Sequence, residues 1–521
     1  YQKIGLAGEA APPRSLRRHL RRAKGRGRAM AEAPRLPGAL LEIFLTRGER
    51  DAFAEWREDP CKSSLASHAL APALDWLAEQ VPESLSPSTL SLAGIFAVAE
   101  AWYFGQAYGE SAPVMTSCVC AASLAAFGTL REVAQRHGRR ALLDTPVVEL
   151  FCHVCDLAAS VFLTAVLSSL LAGAGTHTQW CCVQAVQLGL VWAHYGSFVC
   201  SDRPFDTLPG ELTLSLATLL FLLGMCGLLP VHALAALAFS PHMIIPTVFC
   251  FVFIHAFLSS PETHPRTQRV LLVALVMRGL GNLLQTQLAV TAHEGASSVG
   301  VICDGLFMTV ISSDLVLAKM AGRELHPSIA VASAMFIVPH LPWLALSVAA
   351  FYYAAVFADL TSYLKLPLFG VCRNVYCDGI YDLCHIGHKN LFRRASMLGD
   401  RLFVGVVGDK DANEYKRPPV MSAAEREAEV AGCKGVARVI PEAPCFGLTE
   451  DFLRRHRIHV VAYGQEYLDR FPDPEDDPYY KVPRKLGIAR PMPRTECFST
   501  SELLSRIQKI EAADLAKKSP T

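Results

Sequence analysis

Charged residues are scarce in this chain. Only 19% of its 521 residues are Asp, Glu, Lys or Arg, whereas 51% are hydrophobic. That balance excludes an ordinary soluble enzyme, whose surface carries more charge. Acidic and basic residues nearly cancel to a net charge of +1, so nothing in the composition points to nucleic acid and we expect no nucleic-acid partner. The length predicts more than one domain.

Long stretches without formal charge recur between about residue 90 and residue 358. Examples are Leu212 to Leu229, Met243 to Ser259 and Met335 to Phe357. Each approaches the ~20 apolar residues that a helix needs to cross a bilayer. The stretches repeat and lie far from the N-terminus, so they do not form a signal peptide. By this length rule we predict an α-helical, polytopic membrane domain with roughly eight to ten spans.

Paired cysteine motifs are also lacking. The 17 cysteines are scattered, several of them inside apolar runs, and no C-x-x-C motif is matched by a second one. This distribution is typical of small packing residues in a reducing compartment rather than of disulfide or metal sites.

From about Arg373, short β-rich runs alternate with helical patterns. Such alternation predicts a parallel sheet with right-handed crossovers, an α/β domain of the Rossmann-like class. Ligands of such sheets bind at the carboxyl ends of the strands. The predicted strands are Asn374–Asp382, Leu402–Asp409, Ala437–Pro441, His459–Gly464 and Gly487–Met492, and the predicted helices are 388–398, 422–433, 449–456, 478–486 and 500–511.

The four residues His385-Ile386-Gly387-His388 follow the first predicted strand of this domain and lead into its first helix. A strand, a tight turn and a helix N-terminus bring backbone N–H groups and the helix dipole to one anion-binding place. Two histidines there can donate to a phosphate whose charge grows in a transition state. The turn is therefore suited to nucleotidyl transfer from a nucleoside triphosphate.

A second phosphate-binding cluster follows near the end of the domain. Ser499 and Glu502 have the spacing of a helix capping box, and Arg494 beside them is a permanent cation. Between the two clusters, Lys416 lies on a proline-stiffened loop from which it can reach a triphosphate. Order and spacing together, rather than any one motif, indicate a triphosphate site.

Residues 373–510 resemble the cytidylyltransferase family that makes CDP-choline, CDP-ethanolamine or CDP-glycerol. This resemblance implies transfer of CMP from CTP to a phosphoalcohol with Mg²⁺ and release of pyrophosphate, without a covalent enzyme intermediate. The matching motifs are Asp-Gly-x-Tyr-Asp-x-x-His-x-Gly-His at 378–388, Gly-Asp-x-Leu-x-Val-Gly-Val at 399–406, Lys-x-Pro-Pro-Val at 416–420, Glu-Arg at 425–426 and Arg-Thr-Glu-x-x-Ser-Thr at 494–500.

The same resemblance assigns roles to residues of this chain. The implied catalytic residues are His385, His388, Lys416 and Arg494, and the implied CTP-binding residues are Asp382, Gly387, Thr495, Ser499 and Thr500.

Three positions depart from the family pattern. This chain has Cys497-Phe498 where relatives usually have Gly-Ile or Gly-Val, Tyr463 where many have His, and Cys445 where they have an aromatic residue. An aromatic cage for a quaternary ammonium group would therefore need Phe446 or Tyr467 as its substrate-binding residue.

The membrane region, over about residues 70–365, resembles the choline/ethanolamine phosphotransferases of the CDP-alcohol phosphatidyltransferase family. That family holds two divalent metals with four aspartates, and Arg131 and Cys152 occupy two of those positions here. Of the four carboxylates only Asp156 remains, and one carboxylate cannot hold two hard cations. We therefore expect a degenerate site. The matching segments are Trp76 to Gly94, Pro146 to Asp156 and Trp192 to Glu211.

Two further aspartates, Asp304 and Asp314, lie in a later predicted span. They are interpreted either as functional intramembrane residues or as polar groups that pack helices together. The N-terminal segment up to Arg28 is rich in arginine, which predicts either a cytosolic tail attracted to anionic lipids or a solvated, disordered tail.

These features predict a chain of four parts: a basic, partly disordered N-terminal region, a multi-span membrane domain, a nucleotidyltransferase domain and a short tail. The predicted function is that of a CTP:phosphocholine or CTP:phosphoethanolamine cytidylyltransferase of phospholipid synthesis, and a single catalytic repeat favours choline. We expect it in the endoplasmic reticulum membrane with the catalytic domain in the cytosol. The predicted boundaries are 1–69, 70–368, 372–512 and 513–521.

Membrane lipids are a further expected partner, and a homodimer is expected because relatives of both domains dimerise. Two alternatives stay open: a bifunctional enzyme that also transfers the phosphoalcohol to diacylglycerol, and a non-catalytic CTP-binding membrane sensor. Class I aminoacyl-tRNA synthetases also carry His-x-Gly-His, but no Lys-Met-Ser-Lys-Ser-like loop accompanies it here, so that family is disfavoured.

Overall fold

The computed structural model describes most of the chain, in nine ranges. The chain divides into two compact units, residues 1–47 and 48–521, and all that follows concerns the second. The predicted span Met243 to Ser259 lies outside the described residues, as do Lys416, Cys497 and the arginine-rich N-terminal segment. The described ranges are 44–56, 65–172, 176–200, 210–228, 264–292, 297–335, 342–415, 418–495 and 499–518.

Helices make up the described part of the chain as far as residue 364. Several begin with a proline, which fits the first helical position because its missing N–H has no partner there and its φ is already helical. The helices are α1 Arg47–Glu55, α2 Leu65–Gln80, α3 Pro87–Tyr108, α4 Pro113–Arg140, α5 Pro146–Ala172, α6 Thr176–Val199, α7 Gly210–Met225, α8 Pro265–Ala292, α9 Ser298–Met320, α10 Ser328–Met335 and α11 Pro342–Leu364.

Four of the described helices are long and apolar enough to cross a membrane: α4, α5, α9 and α11. Helix α7 covers most of the predicted run Leu212 to Leu229 but is shorter, ending at Met225. Of the predicted run Met335 to Phe357, α10 reaches Met335 and α11 begins at Pro342, and residues 336–341 lie outside the described part of the chain. The described helices therefore suggest membrane association on length and composition alone.

Helix α9 lies at the centre of the helical region, and 89% of its most apolar 18-residue stretch is buried. A Cβ atom at Gly305 would lie 2.5 Å from Val161 and 2.8 Å from Val183, so glycine lets α9 approach α5 and α6 closely. Both aspartates of this helix are paired. Asp304 accepts from Arg278 at 2.8 Å, and Asp314 from Arg323 at 2.6 Å. These contacts support the helix-packing interpretation of the two carboxylates.

A five-stranded parallel sheet forms the C-terminal domain, with strand order β3-β2-β1-β4-β5. The predicted α/β class and all five predicted strands are confirmed. The strands are β1 Asn374–Gly379, β2 Arg401–Val407, β3 Val436–Ala443, β4 Val460–Gly464 and β5 Ala489–Met492, and the helices are α12 Ile386–Ala395, α13 Asp409–Tyr415, α14 Ala423–Ala431, α15 Glu450–Arg455, α16 Gln465–Arg470, α17 Lys481–Lys485 and α18 Thr500–Lys518.

Several predicted boundaries near the carboxyl ends of the strands are wrong. The first strand ends at Gly379 rather than Asp382, because residues 382–384 form a 3₁₀ turn. The second ends at Val407, and Asp409 begins a helix that the apolar pattern did not predict. Helix α12 starts at Ile386, so His388 lies in its first turn. Local polar residues at strand ends override a strand pattern once turn geometry provides hydrogen-bond partners.

The sheet has an apolar core on each face. Val375, Cys377 and Val404 pack on one side, whereas Tyr376 and Phe403 pack on the other. This alternation is the two-residue period of a strand covered by helices on both faces. In the middle of β2, a Cβ at Gly405 would overlap the hydroxyl of Tyr376 and lie 2.8 Å from Ala443. Only glycine therefore fits between the two neighbouring strands.

The domain contacts the helical region at the amino ends of β1 and β4. Arg457 Nε donates to Asp144 Oδ1 at 3.1 Å, and its Nη2 donates to the Asp144 carbonyl. His459 Nε2 lies 3.2 Å from the carbonyl oxygen of Ala141, and its Nδ1 accepts from the N–H of Asn374 at 3.1 Å. All strands of a parallel sheet run in the same direction, so their carboxyl ends lie at the end of the sheet opposite this contact.

Candidate active site

The turn after β1 holds two residues in the left-handed region of the backbone, Tyr381 with φ 54° and Leu383 with φ 57°. Such conformations cost free energy in non-glycine residues and are common at functional sites. They bend the chain so that His385 becomes the N-cap of α12, where its Nδ1 accepts from the N–H of Gly387 at 3.1 Å. The predicted strand–turn–helix arrangement is therefore present, and its role in anion binding stays a prediction.

The two histidines of the turn stack on each other. The ring centroids of His385 and His388 are 3.9 Å apart with 21° between the planes, and Tyr381 meets His388 edge-on at 5.2 Å. Burial, followed by the nearby charge of Arg494, lowers the pKa of His385. A neutral His385 whose Nδ1 accepts carries its proton on Nε2. That N–H is a donor suited to a phosphate oxygen.

The carboxylate of Asp382 holds the loop that follows the predicted Lys416 segment. Its oxygens accept from the N–H of Val420 at 3.0 and 3.1 Å and from that of Met421 at 3.1 Å. Asp382 lines the cavity described below, as predicted for a CTP-site residue. Its bonds show a further task, which is to fix residues 420–421 against the turn. Lys416 itself lies outside the described part of the chain.

Arg426 is fully buried and ties three segments together at the carboxyl edge of the sheet. Its guanidinium donates to the carbonyls of Ile380 at 2.6 Å and Val407 at 2.8 Å and to Asp409 at 2.6 Å. Its hydrogen bond to Asp409 lowers the pKa of that carboxyl. The Glu-Arg motif was recognised in the sequence, but its spacing gave no sign of this structural role. Glu425 instead completes a capping box with Ser422.

The second predicted cluster lies beside the first. Thr500 Oγ1 donates to the carbonyl of Asp382 at 3.2 Å, which joins the N-terminus of α18 to the turn. Ser499 Oγ accepts from the N–H of Glu502 at 3.1 Å, so the predicted cap is present. Thr495 Oγ1 accepts from Asn390 Nδ2 at 3.4 Å on α12. Tertiary contacts thus bring two motifs that are more than a hundred residues apart to one place.

A cavity of about 450 Å³ opens at the carboxyl edge of the sheet. Of the predicted site residues, His388, Arg494, Asp382, Thr500 and Tyr467 line it. The others lie around it: His385 stacks behind His388, and Phe446 stacks on Tyr479 at 5.5 Å. The predicted residues Gly387 and Ser499 belong to the two helix N-termini next to the cavity, and Thr495 contacts Asn390 of α12.

A second group of residues that line the cavity is aromatic and acidic. Tyr467 meets Tyr480 at 5.2 Å and Tyr479 at 5.1 Å, and Asp378 and Glu466 line the same space. Tyr480 donates to Asp378 Oδ1 at 2.7 Å. Burial nevertheless outweighs this hydrogen bond and raises the pKa of Asp378 to about 6.

Sequence reasoning did not assign a role to Asp378. Its signal was its place in Asp-Gly at the carboxyl end of the first strand, where ligands of parallel sheets bind. Tyr479 and Tyr480 were missed as well, because they come from a segment more than a hundred residues after Asp378.

Magnesium has few protein ligands to use here. Among the described residues no group of three or more His, Cys, Asp or Glu side chains could hold a metal ion. Both oxygens of Asp382 already accept backbone N–H groups. The residues present therefore fit a Mg²⁺ ion held mainly by triphosphate oxygens and water, which is its usual mode of binding.

In the helical region, the single carboxylate of the predicted degenerate site is paired with a cation. Arg131 Nε donates to Asp156 Oδ2 at 2.9 Å, and both side chains are largely buried. Cys152 Sγ lies 3.2 Å from Ser91 Oγ. Helices α4 and α5 therefore hold an ion pair and a thiol at the positions singled out in the sequence.

Comparison with known proteins addresses the C-terminal domain. Residues 376–506 match the cytidylyltransferase-like family. Ethanolamine-phosphate cytidylyltransferase of Dictyostelium discoideum is 38% identical over 135 residues, which are 26% of this chain and 37% of that protein. Choline-phosphate cytidylyltransferase 2 of Arabidopsis thaliana is 38% identical over 138 residues, 26% of this chain and 44% of that protein. The rat choline-phosphate cytidylyltransferase A is 35% identical over 155 residues, 28% and 41% of the two chains.

This chain spans less than half the length of these relatives, and its match is confined to about its last quarter. The similarity supports a nucleotidyltransferase domain there. Among solved structures, the lipopolysaccharide core biosynthesis protein of Thermoplasma volcanium is 26% identical and covers 25% of this chain and 100% of its own, with a TM-score of 0.20. That score is too low to support a shared fold.

Proposed function

We propose that this protein is a membrane-anchored cytidylyltransferase that transfers CMP from CTP to an amino-alcohol phosphate and releases pyrophosphate. The observation that carries the proposal is the mixed lining of the cavity. His388, Arg494 and Thr500 line it beside two helix N-termini, and Asp378 lines it together with tyrosines. The first group suits a triphosphate and the second a cation. A substrate with a phosphate at one end and an ammonium group at the other would bridge them.

The chemistry we propose is an in-line attack of the phosphoalcohol phosphate on the α-phosphorus of CTP, with pyrophosphate leaving. The residues around the cavity hold and orient both substrates, and no side chain forms a covalent bond. His385 Nε2–H and His388 would donate to the phosphate as its charge grows, while Arg494 supplies a fixed positive charge. Mg²⁺ would neutralise triphosphate charge, and Lys416 would act on the same group.

For the alcohol we propose phosphocholine or phosphoethanolamine. Carboxylates at Asp378 and Glu466 and the faces of Tyr467 and Tyr480 favour a positively charged group. Glycerol 3-phosphate has no such group. The relatives include proteins named for each of the two amino-alcohols, so similarity by itself does not choose between them.

The distribution of basic residues supports a membrane orientation. Contacts such as Thr267 N–H to Glu324 and Ser86 to Leu368 place the start of α8 and the ends of α4, α9 and α11 at one end of the helical region. Positive residues favour the cytoplasmic side of a membrane. At this end of the described helices lie Arg136, Arg139, Arg140, Arg266, Arg269, Lys319, Arg323 and Lys365.

The opposite end supports the same orientation. Ser298 donates to Gln106, and Gln106 to Gln179, so these residues mark the other end of the bundle, and the described residues near them include no Lys or Arg. The C-terminal domain contacts the basic end through Arg457 and Asp144. We therefore propose that this domain faces the cytosol, with the helical region in the endoplasmic reticulum membrane in contact with its lipids. A homodimer stays a prediction.

We further propose that the helical region is a degenerate phosphotransferase that serves as an anchor. The pairing of Arg131 with Asp156 supports this role, since a guanidinium where a dication would bind disfavours metal-dependent phosphotransfer. The resemblance of this region to phosphotransferases stays a prediction.

The test is a substrate panel with the full chain in membranes. Pyrophosphate release from CTP is measured with phosphocholine, phosphoethanolamine and glycerol 3-phosphate, each with and without EDTA. We expect release with an amino-alcohol phosphate and loss of it in His385→Ala. CTP binding without pyrophosphate release on any substrate would refute the enzyme and favour the sensor. Diacylglycerol-dependent phospholipid formation in the same membranes would favour the bifunctional alternative.

A further inference from the structure

Two cysteine thiols lie close together beside the turn that carries His385 and His388. Cys384, the residue before His385, belongs to the buried core of the domain, and Cys433 lies just after the end of α14. Their Sγ atoms are 3.7 Å apart although 49 residues separate them in the sequence. Both thiols are free in the structure. The scattered spacing of the cysteines gave no hint of this pair.

The two thiols differ in how an oxidant can reach them. Cys384 is only 6% exposed, whereas Cys433 is partly exposed at the end of its helix. Burial, followed by the neighbouring Cys433, raises the pKa of Cys384 to about 12. A buried thiol is slow to form the reactive thiolate, so an oxidant in solution meets the partly exposed Cys433 first.

The distance between the two sulfurs is only moderately longer than that of a disulfide bond. A disulfide has an S–S distance of about 2.0 Å, so the sulfurs must approach by about 1.7 Å. On the Cys433 side, α14 ends at Ala431 with Gly432 as its C-cap, so Cys433 lies outside the regular helix. The Cys384 side is constrained between Leu383, with φ 57°, and the N-cap His385. Closure would therefore strain the turn that orients the histidines.

We propose that Cys384 and Cys433 form a reversible disulfide when they react with a hydroperoxide. We propose also that this bond lowers activity by distorting the turn at residues 381–388. The thiolate of Cys433 attacks the peroxide, breaks the O–O bond and becomes a sulfenic acid. Cys384 then displaces the sulfenic oxygen, the S–S bond forms, and two water molecules leave when the oxidant is hydrogen peroxide. Each sulfur is oxidised by one electron, and the peroxide takes both.

The expected consequence follows from the place of Cys384 in the chain. It directly precedes the residue that caps α12, so any shift of its backbone moves His385 relative to the cavity. A misplacement of about 1 Å in a positioned group can cost about 10²-fold in rate. The loss of turnover rests on the proposed function, whereas formation of the bond does not.

The experiment treats the full chain in membranes with hydrogen peroxide and then with dithiothreitol. Pyrophosphate release is assayed at each step, and unreduced peptides are analysed by mass spectrometry. We expect a Cys384–Cys433 linked peptide together with a loss of activity of at least about tenfold, both reversed by the reductant. Cys433→Ser should keep its activity in peroxide, and Cys433→Ala repeats the test with a different side chain.

Cys372→Ser is the matched control, because Cys372 is also buried in this domain but contacts Asn374 at the other edge of the sheet. It should lose activity in peroxide as the wild type does. Inactivation of Cys433→Ser by the same dose, protection by Cys445→Ser alone, or a linked peptide without loss of activity would each overturn the proposal. A reduced wild type inactive on every substrate refutes the proposed function, while the linked peptide still reports on the thiol pair.

Discussion

His385 has a structural and a chemical role within a single side chain. Its Nδ1 accepts from the N–H of Gly387 and so caps α12, and this bond leaves the proton on Nε2. The pKa of His385 is lowered by burial and by Arg494, so the ring is neutral at pH 7 and the cap is intact. Capping and phosphate donation use opposite nitrogens, and they can be separated by mutation.

His385→Asn should keep the cap but lose the imidazole, because Asn is a favourable N-cap residue. His385→Ala should lose both. We expect each to lower the rate of pyrophosphate release by about 10²–10³-fold, the range for one lost transition-state donor. Only His385→Ala should lower stability as well, by about 1 kcal/mol. Rate assays and thermal unfolding of both variants check this, and an active Asn variant would contradict the donor role.

Asp378 combines a place in the cavity lining with a raised pKa. Burial raises the pKa of Asp378 to about 6, so the carboxylate is mostly charged at pH 7.5 and loses its charge as the pH falls through 6. A neutral carboxyl attracts an ammonium group less, and the tyrosines then remain the main source of attraction.

The KM for the amino-alcohol phosphate should therefore rise as the pH falls from 7.5 to 5.5. Phosphate groups titrate in the same range, so the wild type is compared with Asp378→Asn at each pH. We expect the variant to have a higher KM at pH 7.5 and a ratio of the two KM values that narrows towards pH 5.5. A constant ratio across this range would show that Asp378 does not act through its charge.

At the scale of elements, the active site depends on a clamp between the turn and the loop at 418–421. Asp382 accepts the N–H groups of Val420 and Met421, while Arg426 donates to the Met421 carbonyl at 3.3 Å. The same guanidinium holds the carboxyl ends of β1 and β2. The clamp fixes residues 420–421, four residues after the predicted catalytic Lys416.

Asp382→Asn should weaken this clamp, because an amide offers one acceptor oxygen in place of two. We expect stability to fall by about 1–3 kcal/mol and the KM for CTP to rise by about tenfold as the loop moves away from the turn. Thermal unfolding and steady-state kinetics measure the two effects.

Asp400→Asn provides the control. Asp400 Oδ2 accepts the N–H of Arg373 at 2.8 Å, which is the same kind of bond at the opposite edge of the sheet. It should cost a similar amount of stability with no change in the KM for CTP. An equal rise in that KM in both variants would mean that the clamp acts only through overall stability.

At the scale of the whole molecule, the C-terminal domain contacts the helical region through the amino ends of its strands, whereas the cavity lies at their carboxyl ends. Arg457 and His459 from the start of β4 bind Asp144 and the carbonyl of Ala141. Burial lowers the pKa of His459, which keeps it neutral, with Nδ1 free to accept from Asn374. The cavity therefore opens away from the helices, and a product made there would be released on the side facing away from them.

Arg457→Ala should loosen the docking of the two regions without affecting turnover, since the contact and the cavity share no residues. We expect faster proteolysis of the connection at 365–373, and a double-mutant cycle with Asp144→Ala should give a coupling of about 1 kcal/mol. Loss of activity in Arg457→Ala with unchanged proteolysis would contradict this division between anchoring and catalysis.

Much of the site could be predicted because it depends on local chemistry. The order of residues at 385–388 and at 494–500 specifies two helix N-termini with histidine, arginine and hydroxyl groups, and a parallel sheet necessarily brings its carboxyl ends to one edge. The apolar runs likewise predicted helices long enough for a membrane, four of which lie in the described part of the chain. These features need only the sequence, because backbone geometry and transfer free energy act over a few residues.

Other features were decided only by tertiary structure. The burial that raises the pKa of Asp378, the buried guanidinium of Arg426 and the approach of Cys384 to Cys433 all depend on segments far apart in the chain. The contact of Asp382 with a loop almost forty residues later has the same origin. Desolvation and contact between distant segments arise only when the chain is packed, so no pattern within a single segment records them.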